Sequence, residues 1–79
     1  MKKDFKIGEY AVGGIIRVQT ECNLISIKAL DWTSKKEILS EKFKSTEVKE
    51  LDNFLHELTS SYWAEHIMTH MKLKGLCKQ

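Results

Sequence analysis

The chain of 79 residues contains no proline, four glycines, two cysteines and one arginine. Without proline, nothing forces a break in any run of secondary structure. Two cysteines, Cys22 and Cys77, are too few for a disulfide scaffold. Both are read as reduced thiols, which gives an expectation of a cytoplasmic protein. No apolar run approaches the roughly 18 residues of a membrane span. The opening Met-Lys-Lys invites comparison with a signal peptide. However, Asp4 and Lys6 interrupt it, and "AVGGIIRV" is broken by a glycine pair and Arg17, so neither an apolar core region nor a small-residue cleavage site is expected.

What remains is balanced. Hydrophobic residues make up 42% and charged residues 30%, with a net charge of +2. Such a mixture suits a folded single domain better than a disordered chain. At this length a core contributes only about 3–5 kcal/mol, so oligomerisation or other support is commonly added. The charge is too mild to indicate nucleic-acid binding by itself.

The first half reads as β-strands. "EYAVGGIIRVQ" is rich in β-branched and aromatic residues: Tyr10, Val12, Ile15, Ile16 and Val18. Gly13 and Gly14 inside it predict a bulge or bend. They do not make a phosphate loop, because no Gly-Lys-Ser/Thr follows and no helix opens. "TECN" is a turn. In "LISIKAL", Ile25, Ile27 and Ala29 alternate with Ser26 and Lys28, the pattern of a strand with one wet face. "DWTSKK" suits a second turn, with Asp31, Thr33 and Ser34 able to bond the local backbone. Segment 34–44 fits two readings. Ser34 to Glu37 can form a capping box before a helix, or "EILSEKFKS" is a third strand. The strand is preferred, because a two-stranded hairpin alone is marginal in water. Glu41, between Leu39 and Phe43, then belongs on an edge, where inward charge discourages further pairing.

From Ser45 onward the pattern is helical. Ser45 or Thr46 can cap, Glu47 and Glu50 suit the helix dipole, and Val48, Leu51, Phe54, Leu55 and Leu58 form the apolar stripe. Thr59-Ser60-Ser61 interrupts, and a serine there can cap a second helix. Trp63, Ala64, Ile67, Met68 and Met71 carry the stripe onward. Gly75 is placed to end it in the left-handed conformation. Strands followed by helices predict an α+β domain spanning 1–79: a three-stranded antiparallel meander with two helices, or one kinked helix, on one face.

Chemistry is sparse. His66 and His70 share a helix face, and His56 and Cys77 supply further metal-ligand types. The glutamate of a His-Glu-x-x-His zinc helix is absent, since Ile67 follows His66. The expectation is no metal, no cofactor and histidines that flank the apolar stripe. Neither cysteine has a nucleophile's surroundings, and a chain this small has little room for a substrate cavity, so no catalysis is expected. In layout, a hairpin-rich half running into "FKSTEVKELDNFL" resembles several small phage and mobile-element proteins, some anti-CRISPR inhibitors among them. The likeness covers one capped helix and the strand before it, and no functional residue is carried over.

Two binding readings remain. Tyr62, Trp63, Ile67, Met68 and Met71 exceed what a two-helix layer on a short sheet obviously buries, and such residues favour interfaces. That predicts a protein-interaction module, with a homodimer or a foreign protein as partner. The alternative is nucleic-acid binding through Arg17, Lys28, Trp32, Lys35, Lys36, Lys42 and Lys44 on the sheet, helped by basic tails.

Overall fold

The structure is a computed structural model, and it describes residues 2–7 and 14–75. Its elements are β1 (Lys2–Lys6), β2 (Gly14–Glu21), β3 (Leu24–Asp31), β4 (Glu37–Lys44), α1 (Val48–Leu58) and α2 (Ser61–Leu73). The strands form one antiparallel sheet in the order β1-β2-β3-β4. The α+β class and the strands-then-helices order are as expected, but the sheet has four strands rather than three. The extra strand is β1. Its sequence, KKDFK, offers one buried side chain, Phe5, among four exposed charges, so the apolar alternation that marks a strand is missing. Of the strand expected over 9–19, residues 9–13 lie outside the described residues, and β2 begins at Gly14. The expected glycine bend is there: Gly14 has φ +92°, and its carbonyl accepts from the Ile7 N–H at 2.8 Å. Segment 34–44 resolves as strand from Glu37, with a register irregularity opposite Ala29 and Leu30.

The turns follow from local chemistry. Glu21 pairs with Leu24, leaving Cys22 and Asn23 as the β2–β3 turn, with Cys22 at φ +56°. In the β3–β4 turn, one oxygen of Asp31, Oδ2, accepts from the Thr33 N–H, the Ser34 N–H and the Ser34 hydroxyl at 3.0, 2.8 and 3.1 Å.

Register sorts the side chains. Phe5, Ile16 and Ala29 lie abreast, as do Val18 and Ile27, and then Ile25 and Phe43. All are buried, in one cluster with Leu51, Leu55, Leu58, Ala64, Ile67, Met68 and Met71 from the helices. Burying a side chain of this size contributes about 1.5–3 kcal/mol each. α1 lies toward β4, where Phe54 meets Phe43 at 5.4 Å. α2 lies toward β1, where Phe5 meets His66 and His70. Glu41 pairs with Ile27 on the edge strand β4 and is exposed, as its charge requires.

The helix boundaries carry one correction. Neither Ser45 nor Thr46 caps α1. The N-cap is Glu47, without a capping side-chain bond. Its carboxylate turns back and accepts from the Lys44 N–H at 2.7 Å. Ser45 is buried, and its N–H is spent on the Asn23 carbonyl at 2.9 Å, which ties the end of β4 to the β2–β3 turn. The break at 59–61 makes two helices. Thr59 is extended, and the Ser60 hydroxyl accepts from the Trp63 N–H at 3.5 Å. Gly75 follows α2 at φ +69°, its N–H on the Lys72 carbonyl at 3.1 Å. No helix among the described residues is long and apolar enough to cross a membrane.

Candidate functional site

The residues expected at a partner surface divide. Ile67 and Met71 are wholly buried and Met68 nearly so, all three inside the core. Tyr62 is 69% exposed, and Trp63 is half-buried against the core. An aromatic group gathers here. The Tyr62 ring stacks on His66 at 6.2 Å, Trp63 meets His66 edge-on at 5.4 Å, and Phe5 reaches His70 at 5.4 Å. His66 and His70 therefore frame an aromatic side chain of β1. His70 Nε2 is shut off from solvent and has no hydrogen-bond partner. Burial of the ring, then the charges of Lys3, Lys74 and His66, push its pKa below the ordinary value. His56 stands apart on α1, its Nδ1 2.9 Å from the Asp52 carbonyl. Cys77 lies outside the described residues. Among the described residues, no group of three or more His, Cys, Asp or Glu side chains is placed to hold a metal ion.

Four residues of the alternative set come together. Side chains alternate across a strand, so residues directly paired share a face. Ile25, Ile27 and Ala29 point to the helices, so Leu24, Ser26 and Lys28 point away. Arg17 is paired with Lys28, Lys42 with Ser26, and Lys44 with Leu24. Arg17, Lys28, Lys42 and Lys44 thus share the face that no helix covers. Lys2 and Asp4 join them through Gln19 and Arg17. Two of the carboxylates on this side are engaged. Asp4 holds Arg17 in a two-point bridge at 2.8 and 3.0 Å, and Glu37 lies 3.6 Å from Lys28. The Arg17 bond, aided by the charges of Arg17, Lys2 and Lys35, lowers the Asp4 pKa. Lys42 and Lys44 have no carboxylate partner among the described residues.

A groove of about 130 Å³ crosses this face, lined by Gln19, Glu21, Leu24, Ser26, Lys28 and Lys42. Ser26 Oγ lies buried there without a hydrogen-bond partner. Sequence reasoning placed Ser26 on a wet face but gave it no role. Its orphaned hydroxyl depends on what lies abreast of it in β2 and β4, which only the register shows. Trp32, Lys35 and Lys36 sit on the β3–β4 turn. Trp32 is 48% exposed, and Lys35 Nζ stands 5.8 Å from the indole centroid while donating to the Trp32 carbonyl at 2.9 Å. The charge of Lys35 also helps to lower the Asp4 pKa. Comparisons with family models, with curated proteins and with solved structures returned no match.

Proposed function

We propose that the protein binds nucleic acid on the open face of its sheet. One observation carries the reading: strand register collects Arg17, Lys28, Lys42 and Lys44 on the side opposite the helices, with Lys2 alongside. Phosphates are recognised by such spaced cations, and the release of counterions supplies much of the affinity. The face carries polar and charged side chains around the groove, with Ile15 and Leu30 buried toward the β3–β4 turn, and is free of a deep cavity among the described residues, which suits an extended ligand rather than a small molecule. Asp4 holds Arg17 and Glu37 lies near Lys28, while Lys42 and Lys44 have no carboxylate partner among the described residues.

Titration with DNA and RNA oligonucleotides at two salt concentrations tests this. Each phosphate contact to a single strand contributes about −0.7 to the slope of log affinity against log salt. Three or four contacts predict a slope of roughly −2 to −3. Replacing Lys42 and Lys44 by Gln reduces it by one to two contacts' worth. Absence of binding at low salt defeats the proposal.

Self-association is the second reading. The exposed Tyr62, stacked on His66 beside Trp63, favours it, although Ile67, Met68 and Met71 are already used in the core. Sedimentation at micromolar concentration of the protein and of Tyr62→Ala decides it: a monomer in both removes this reading.

A further inference from the structure

We infer that the ligand of the open face is single-stranded, with one base stacked on Trp32 and a phosphate further along the strand, about 20 Å away, held over Ser26 between Lys28 and Lys42. This rests on the nucleic-acid reading above and makes it specific.

The exclusion of duplex comes from where the helices lie. Reading a duplex through its major groove needs a helix or a two-stranded ribbon that can enter the groove. Both helices here cover the other face of the sheet, and the open face belongs to the middle and edges of a four-stranded layer, too broad to enter a groove. A single strand can instead lie flat on it, with its bases free to stack on an aromatic side chain.

Trp32 is built for that contact. Its ring is half exposed at the end of β3, and the turn that carries it is held by the three bonds to Asp31 Oδ2 and by backbone bonds from Asp31 to Lys36 and from Lys35 to Asp31 at 2.8 and 2.9 Å. An indole fixed beforehand loses little freedom when a base settles on it. Lys35 is kept beside the ring at φ +63°, a conformation that costs a non-glycine residue about 1–2 kcal/mol. Its ammonium lies over one face of the ring, 5.8 Å from the centroid, so a base stacks on the opposite face.

The second contact is the groove. Ser26 Oγ can donate a hydrogen bond and has no acceptor. Lys42 lies abreast of it on β4, and Lys28 lies two residues along β3, about 7 Å away at the usual strand rise. The hydroxyl is closed to solvent in the free chain, so a phosphate oxygen satisfies it once a neighbouring side chain turns aside, and then sits between two ammonium groups. From Leu24 to Trp32 is about 26 Å, the length of several nucleotides, with Leu30 buried on the same side between the two contacts.

The test uses Trp63→Phe, which leaves Trp32 as the reporting indole, titrated with a short oligothymidylate and with a duplex of equal length. Quenching of Trp32 by the single strand, at an affinity roughly tenfold or more above that for the duplex, is expected. In the otherwise native chain, Trp32→Ala weakens oligothymidylate binding by about 5- to 150-fold, the range set by one stacked base, while its salt slope is unchanged. Lys42→Gln does the reverse: it lowers the slope by about one contact and leaves the quenching amplitude. Binding without quenching and without loss in Trp32→Ala overturns the stacking. Equal or tighter duplex binding overturns the single-strand assignment and leaves the broader nucleic-acid reading standing. Failure of both ligands to bind at low salt overturns both.

Discussion

Met71 separates a core residue from an interface residue, and its truncation can be worked through. The side chain is wholly buried in the single chain, among residues from both helices and the sheet. Methionine-to-alanine changes at such sites cost about 2–5 kcal/mol, combining lost transfer energy with the cavity left behind. A 79-residue domain has about 4–12 kcal/mol of stability in all. At about 3 kcal/mol, Met71→Ala lowers the thermal midpoint by roughly 12–24 °C. Met71→Leu, which conserves volume, stays within about 1.5 kcal/mol, so the position remains readable if the alanine variant fails to fold. Tyr62→Ala, at an exposed site, moves stability by about 0.5 kcal/mol or less. Calorimetry and urea unfolding at two protein concentrations read all three. Were Met71→Ala to stay within 0.5 kcal/mol of the parent, or its loss to shrink as concentration rises, the residue would belong to an interface between chains and the core assignment would fail.

The other predictions concern pH, backbone and capping. The pKa of His70 is lowered from 6.5 in the folded chain, so the unfolded chain takes up its proton first. Stability is therefore unaffected by this group above that value and falls as pH drops through it. Asp4 and Asp31, both held below the ordinary value by hydrogen bonds, contribute stability that is present above about pH 4 and lost on further acidification. Urea midpoints at pH 8 and 5 check the first step, which His70→Leu should diminish. Lys35→Gly relieves the left-handed φ and raises stability by about 1 kcal/mol while weakening oligonucleotide binding. A stable variant with undiminished binding would show that Lys35 serves the turn alone. Ser60→Ala removes the α2 cap and costs about 0.5–1 kcal/mol, toward the low end because the bond is long, as read by urea unfolding.

The helical half was the more legible. Leu51, Leu55 and Leu58 recur at helical spacing, Ser60 is a capping residue in a polar break, and Gly75 ends the pattern, so each signal is local. β3 was legible for the same reason, through its alternation of Ile25, Ile27 and Ala29 with polar neighbours. β1 was not, because an edge strand needs only Phe5 to anchor it and its remaining positions are free to carry charge. The start of α1 was displaced for a different reason. Ser45 has the chemistry of a cap, but the fold uses its N–H for Asn23, a contact 22 positions back in the chain. The site was half legible: the lysines were named from composition, but their common face follows from pairings such as Leu24 with Lys44, which depend on turn lengths.

The missed strand also explains the apparent surplus of apolar side chains. A three-stranded sheet is too narrow to carry both helices, and on that sheet Ile67, Met68 and Met71 are left over for a partner. β1 widens the inner face by one strand and brings Phe5 under α2, where it meets His66 and His70. The second helix then has a floor, and its methionines close the core. The same widening extends the outer face and sets Lys2 and Asp4 beside Gln19 and Arg17. An antiparallel meander with short turns has no crossover to place a helix on its far side, and both helices follow the sheet on one side. On the far face, charged and hydroxyl side chains meet solvent around the groove, while Ile15 and Leu30 are buried toward the β3–β4 turn. Solubility alone, however, requires neither an unpartnered serine hydroxyl in a groove nor a lysine held in the left-handed region beside an exposed indole. Those two features take their role from the proposal, and Ser26 and Trp32 are accordingly the positions at which the functional reading is most exposed to refutation.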